Sequence, residues 1–167
     1  MRVLAIDPAL RKTGYAVIER EADCLRALAY GTIANTPKLL QSGCLVAIRE
    51  ALKSVIERHQ PELCAVESVI YVQSHKTAII MGAARGAAVL TAAEPGLPVF
   101  EYAPKRVKQA VVGKGAADKQ QVAFMVRALL KLTETPEPDA ADALAIGLAH
   151  FYMAENATTT EGEQKRI

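Results

Sequence analysis

Four acids in this 167-residue chain stand where their side chains can act together. Asp7 closes the apolar run Val3-Leu4-Ala5-Ile6, and Glu67 closes Leu63-Cys64-Ala65-Val66. Each run reads as a buried strand. Between them Leu45, Ile48, Leu52, Val55 and Ile56 keep a helical period, and a crossover helix makes the flanking strands parallel. Both acids then lie at one carboxyl edge of a sheet, where open α/β sheets place their sites. Asp139 and Asp142 are three apart at the start of the apolar helix Ala143-Leu144-Ala145-Ile146-Gly147-Leu148, and so share a face. Singly, each acid has an ordinary structural role: a loop-initiating Asp-Pro, a solvated strand end, a pair of first-turn acids suited to the helix dipole. Brought together, four like charges are unfavourable without a neutralising cation. An all-oxygen ligand set suits Mg²⁺ or Mn²⁺ and argues against zinc. Two such ions roughly 4 Å apart can clamp a phosphodiester, one activating water and the other steadying the leaving oxygen.

The cations are unevenly spread. Residues 104–131 hold Lys105, Arg106, Lys108, Lys114, Lys119, Arg127 and Lys131 against one acid, Asp118. That segment carries +6, so the rest of the +2 chain carries −4. One basic region on an acidic body fits a polyanion partner, although a solvated helical face has the same composition.

The elements that must position these residues follow from pattern. Val3–Ile6 and Tyr15–Ile18 flank the turn signal Thr13-Gly14 as a hairpin, and residues 26–33 read as a third strand. Pro37 opens the crossover helix, which stops near Pro61. The fourth strand is Leu63–Val66. A second helix spans Lys76 to Ala93, dense in small residues, with Gly82 and Gly86 four apart. Then come a strand at Pro98–Tyr102, helices at Pro104–Val112 and Asp118–Leu132 around a mobile-looking Gly113-Lys114-Gly115 loop, and a last helix from Asp139 to Met153. This order predicts one α/β domain over 1–153, a mixed five-stranded sheet flanked by helices. Residues 154–167, polar and aperiodic, are expected to be disordered. Phe100, Tyr102 and Phe124 are assigned to the core. His59 and His150 are placed at helix ends, and His75 in a loop.

Other classes find little support. Cys24, Cys44 and Cys64 fit neither a disulfide framework nor a zinc site, and a reducing, cytoplasmic setting suits them. The N-terminus meets Asp7 too early for a signal peptide. The longest apolar run, Thr77 to Ala93, is broken by Arg85 and too short to span a bilayer.

The carboxylate order Asp7, Glu67, Asp139-x-x-Asp142 resembles the RuvC family. So do Ile6-Asp7-Pro8 with Thr13-Gly14-Tyr15, Ala65-Val66-Glu67, Gly82-Ala83-Ala84-Arg85-Gly86, Tyr102-Ala103-Pro104 with Val107-Lys108-Gln109, and Val126-Arg127-Ala128-Leu129-Leu130. Asp139-Ala140-Ala141-Asp142-Ala143-Leu144-Ala145 is the most specific piece. The likeness spans roughly residues 1–153. It implies an RNase H-like fold and a homodimeric endonuclease that cuts four-way (Holliday) junctions symmetrically, alongside a branch-migration motor. It implies that Asp7, Glu67, Asp139 and Asp142 are the catalytic metal ligands, for two Mg²⁺ ions or Mn²⁺ in their place. It puts Lys108 and Lys119 near the scissile phosphate, with Lys105, Arg106 and Lys114 as further DNA contacts. Ala9 and Ala16 stand where the family favours glycine, and Ile70, beside Tyr71, stands where it often has a junction-wedging aromatic. Gly82, Ala83, Gly86 and Ala87 permit close helix approach at a dimer axis.

Three rival readings are weighed beside this one. A catalytically inactive junction- or RNA-binding domain would not need all four acids. An actin-like ATP-binding domain is faintly resembled by Asp7 to Val17 but needs a second phosphate loop and more chain. A related RNase H-like nuclease with another branched or RNA substrate would share the chemistry.

Overall fold

In the computed structural model, residues 1–22, 24–69, 74–156 and 165–167 are described. Strands β1 (Arg2–Asp7), β2 (Lys12–Glu21) and β3 (Cys24–Ala34) form an antiparallel meander. Helix α1 (Gln41–His59) crosses over to β4 (Leu63–Glu67), which pairs parallel with β1. Helix α2 (His75–Ala93) crosses to β5 (Val99–Tyr102), parallel to β4. Helices α3 (Pro104–Val112), α4 (Lys119–Leu129) and α5 (Pro138–Asn156) follow, and β6 (Lys165–Arg166) closes the order β3-β2-β1-β4-β5-β6.

The period of two sorts the strand residues into two layers. Val3, Ala5, Leu63 and Ala65 pack with α5, and α3 and α4 cover α5 in turn. Leu4, Ile6, Cys64 and Val66 pack with α1 and α2 on the other side. By the same alternation Asp7 and Glu67 belong to the α5 side of the sheet edge. Helix α5 is apolar almost all round because it is enclosed, with Ala143, Leu144, Ala145, Ile146, Leu148 and Ala149 all buried. Gly147 lets it lie close on the sheet: a β-carbon there would come within 2.8 Å of Ile18 Cδ1 and 3.2 Å of Ala5 Cβ.

The structure corrects the sequence reading in several places. The sheet has six strands, because Lys165–Arg166 pairs antiparallel with β5; a two-residue strand leaves no periodicity to read. The last helix continues to Asn156. Helix α1 starts at Gln41, the residues after Pro37 forming a turn that ends on an extended Leu40 N-cap. Phe124 is 67% exposed, on the outer face of α4. His150 is not an end-capping residue but a core one: its Nδ1 lies 2.7 Å from the Tyr102 hydroxyl, and its ring packs against Phe100 and Phe151. Enclosure pushes its pKa down to about 4. The Gly113–Gly115 loop is tied rather than loose, since Gln109 Nε2 donates to the Gly113 carbonyl at 2.8 Å and its Oε1 accepts from Gly115 N at 3.0 Å.

Candidate active site

Asp7 is the last residue of β1 and faces Gly14 on β2. Thr13, fully buried, fixes the loop between them: its hydroxyl donates to the Ala9 carbonyl at 2.6 Å and accepts from Ala9 N at 3.3 Å. Gly14 then has a role beyond turn formation. A β-carbon there would run into the Asp139 backbone carbonyl, so the first turn of α5 rests on bare β2 backbone and Asp139 is brought to the end of β1. One turn on, Asp142 shares its face. Proline at the first position of α5 leaves no orphan donor there.

Glu67 arrives by the parallel register, in which Ile6 lies opposite Val66. The Asp7 and Glu67 carboxyls are neighbours, and their interaction raises Glu67 while it holds Asp7 down. Burial first, then the neighbouring Asp7 and Asp142 charges, pushes Glu67 up to about 8. Burial and the Asp142 and Asp139 charges raise Asp7 as well, with Lys119 opposing. The four acids therefore share one electrostatic site, half-buried and short of positive charge.

Lys119 comes from the start of α4. Asp118 N-caps that helix, accepting from Gln121 N at 2.8 Å while Gln121 Oε1 accepts from Asp118 N at 3.1 Å. This capping box fixes the first helical residue, and Lys119 Nζ reaches Asp142 Oδ2 at 3.0 Å. The hydrogen bond to Asp142 raises the Lys119 pKa. Lys108 is half-buried on α3 and makes no ion pair among the described residues. Lys105 and Arg106 are exposed on α3, and Lys114 is exposed in the loop that follows it. Gly82 and Gly86 lie on the exposed side of α2 with no atom within 4 Å of an added β-carbon, Ala83 and Ala87 beside them half-buried. Ile70 and Tyr71 fall outside the described residues.

Among the described residues, no three acid, histidine or cysteine side chains are already drawn together as ligands of one ion. One of the four, Asp142, is engaged by Lys119 instead. The donor set is nonetheless oxygen throughout with surplus negative charge, which fits a hard divalent cation.

Sequence reasoning located the four acids and Lys119. It did not find what Gly14 does, because a close approach between β2 and α5 is a tertiary fact. The Thr-Gly pair was its only local trace.

The chain is similar to known proteins over its whole length. The family model described as crossover junction endodeoxyribonuclease RuvC matches residues 3–150. The crossover junction endodeoxyribonuclease RuvC of Akkermansia muciniphila is 58% identical over 167 residues, covering 100% of both chains. That of Syntrophomonas wolfei is 41% identical, over 99% of this chain and 100% of its own. Among solved structures, T. thermophilus RuvC in complex with Holliday junction substrate superposes with a TM-score of 0.89 at 36% identity, covering 100% of this chain and 99% of the other.

Proposed function

The chain belongs to the RuvC family of crossover junction endodeoxyribonucleases, and on that premise we propose that it resolves four-way DNA junctions by paired symmetric cuts with two Mg²⁺ ions. Its fold is the RNase H-like fold of RuvC structures. The observation that carries the reading is the convergence of Asp7, Glu67, Asp139 and Asp142, with Lys119 against them, at one sheet edge. Asp7, Glu67, Asp139 and Asp142 would hold the ions. Bound there, Mg²⁺ supplies an activated water and charge neutralisation at the leaving oxygen, and Mn²⁺ can replace it.

The protein's own groups do the rest. Glu67, held above the usual carboxylate range, would lose its proton to solvent for a cation to be held there. Lys119, freed from Asp142, turns its ammonium to a phosphate oxygen as a point charge. Lys105, Arg106, Lys108 and Lys114 hold the DNA backbone, and Ile70 or Tyr71 fills the wedge position after Glu67. A homodimer matches the near two-fold symmetry of a junction needing two cuts. Helix α2 supports it with an outward stripe of Ile79, Gly82, Gly86 and Leu90, in which Ile79 is 69% and Leu90 56% exposed. Residues 1–153 form the nuclease unit, docked in the cytoplasm with a branch-migration motor. No helix among the described residues is long and apolar enough to cross a membrane.

The test separates binding from chemistry. Asp7→Asn, Glu67→Gln, Asp139→Asn and Asp142→Asn are each expected to abolish cleavage of a synthetic junction while leaving its gel-shift affinity near wild type, since affinity comes mainly from the cations. Near-normal cleavage by the Asp7 or Glu67 variant would remove the assignment.

A further inference from the structure

Glu67 is the last residue of β4, and its main chain is in an awkward place. Cys64 N and Ser68 N donate to the Pro98 and Tyr102 carbonyls at 2.9 and 2.8 Å, so the even residues of β4 bond toward β5. The odd residues, Glu67 included, therefore bond toward β1. Glu67 lies opposite Asp7 in the continued register, and a parallel ladder then draws the donor for its carbonyl from residue 8. Residue 8 is proline, which has no N–H. The ladder thus ends with the Glu67 carbonyl lacking its strand partner, at the residue whose carboxyl must be held in place.

Arg85, on α2, fills the gap. Its Nε donates to the Glu67 carbonyl at 3.4 Å, and its terminal nitrogen donates to Glu101 Oε1 at 2.8 Å. The Arg85 and Glu101 side chains are only 21% and 14% exposed. Lys165 of β6 holds the other Glu101 oxygen at 2.8 Å. Glu101 and the helix α2 that carries Arg85 lie on the side of the sheet opposite the acids: Glu101 alternates with Phe100, which packs on the α5 layer, whereas Ala84 and Ala88 of α2 pack on the other. Arg85 therefore stands behind the site, on the side of the sheet away from the acids.

We propose that Arg85, braced by Glu101, is a positioning residue that sets the end of β4 and through it the Glu67 carboxyl. A planar guanidinium serves two acceptors in fixed directions, so it registers strand β4 against β5 and against α2 at once. The inference rests on the four acids being the cation site. A displacement of a ligand by a fraction of an ångström weakens cation binding and turnover, while the junction-binding cations are untouched.

Two variants test it. Arg85→Met removes both bonds. Arg85→Lys keeps the ion pair with Glu101, and so the fold, but its single ammonium cannot serve both acceptors. Both are expected to lower kcat at saturating junction about 10-fold, to raise the Mg²⁺ concentration for half-maximal cleavage several-fold, and to leave junction Kd within about 2-fold of wild type. Calorimetric titration of the free protein with Mn²⁺ should show the same weakening without any turnover. An Arg85→Lys protein with wild-type kcat and Mn²⁺ affinity overturns the proposal. So does a loss of kcat matched by an equal loss of junction binding, which is the mark of general unfolding. Asp142→Asn is the control: if it titrates Mn²⁺ like wild type, the cation-site reading has failed rather than the role of Arg85.

Discussion

Without a cation, Glu67 keeps its proton far above the usual carboxylate range, because burial and the Asp7 and Asp142 charges penalise its ionised form. Its pKa rises from the ordinary 4.5 of the unfolded chain to about 8 in the fold. The native state then binds more protons than the unfolded state between those values, and stability must fall as pH rises through that window. Glu67→Gln has no proton to lose. Thermal unfolding in EDTA should show it more stable than wild type at pH 8.5 and not at pH 4.5. Equal behaviour at both would mean the Glu67 carboxyl is not held protonated by its neighbours. Saturating Mg²⁺ should reverse the order at high pH, since ligands deprotonate when they bind metal.

Among the elements, the contact between β2 and the first turn of α5 sets the site. Gly14→Ala would press a methyl group on the Asp139 carbonyl, so α5 must shift or β2 must bend. The expected result is a loss of cleavage of about 100-fold, the cost of an ångström-scale misplacement of a catalytic group, with a folded circular-dichroism spectrum. Wild-type turnover would show that α5 does not depend on that bare backbone. The same contact shows what was legible in sequence. Strands β1 and β4, the crossover and the last helix each carry a clear apolar period, and with them came all four acids. Lys119 came from the family resemblance alone, and the capping box that fixes it was seen only in the structure. The approach at Gly14, the brace of Arg85 on Glu101 and the short pairing of β6 depend on residues distant in the chain and leave no local period. Phe124 followed the general preference of aromatics for the interior, yet it sits on the solvent side of α4.

For the whole molecule, charge and symmetry belong together. The +6 of residues 104–131 lies on α3, α4, the loop between them and, at Lys131, the turn after α4, next to the acids through Lys119. The exposed apolar stripe lies apart from it, on α2. On the proposed reading one surface would meet DNA and the other a second copy. Light scattering at micromolar concentration should give a dimer mass for wild type and a monomer for Gly86→Glu, which places a charge in the stripe. A dimer indifferent to that glutamate would move the interface elsewhere. The central claim, that this sheet edge is a cation-dependent junction nuclease, is tested most directly by one incubation. Purified protein is mixed with a synthetic four-way junction or a linear duplex of matching sequence, with Mg²⁺ or with EDTA. The account predicts paired, symmetric nicks in the junction with Mg²⁺ alone and an intact duplex throughout. Cleavage in EDTA, or equal cleavage of the duplex, would contradict it.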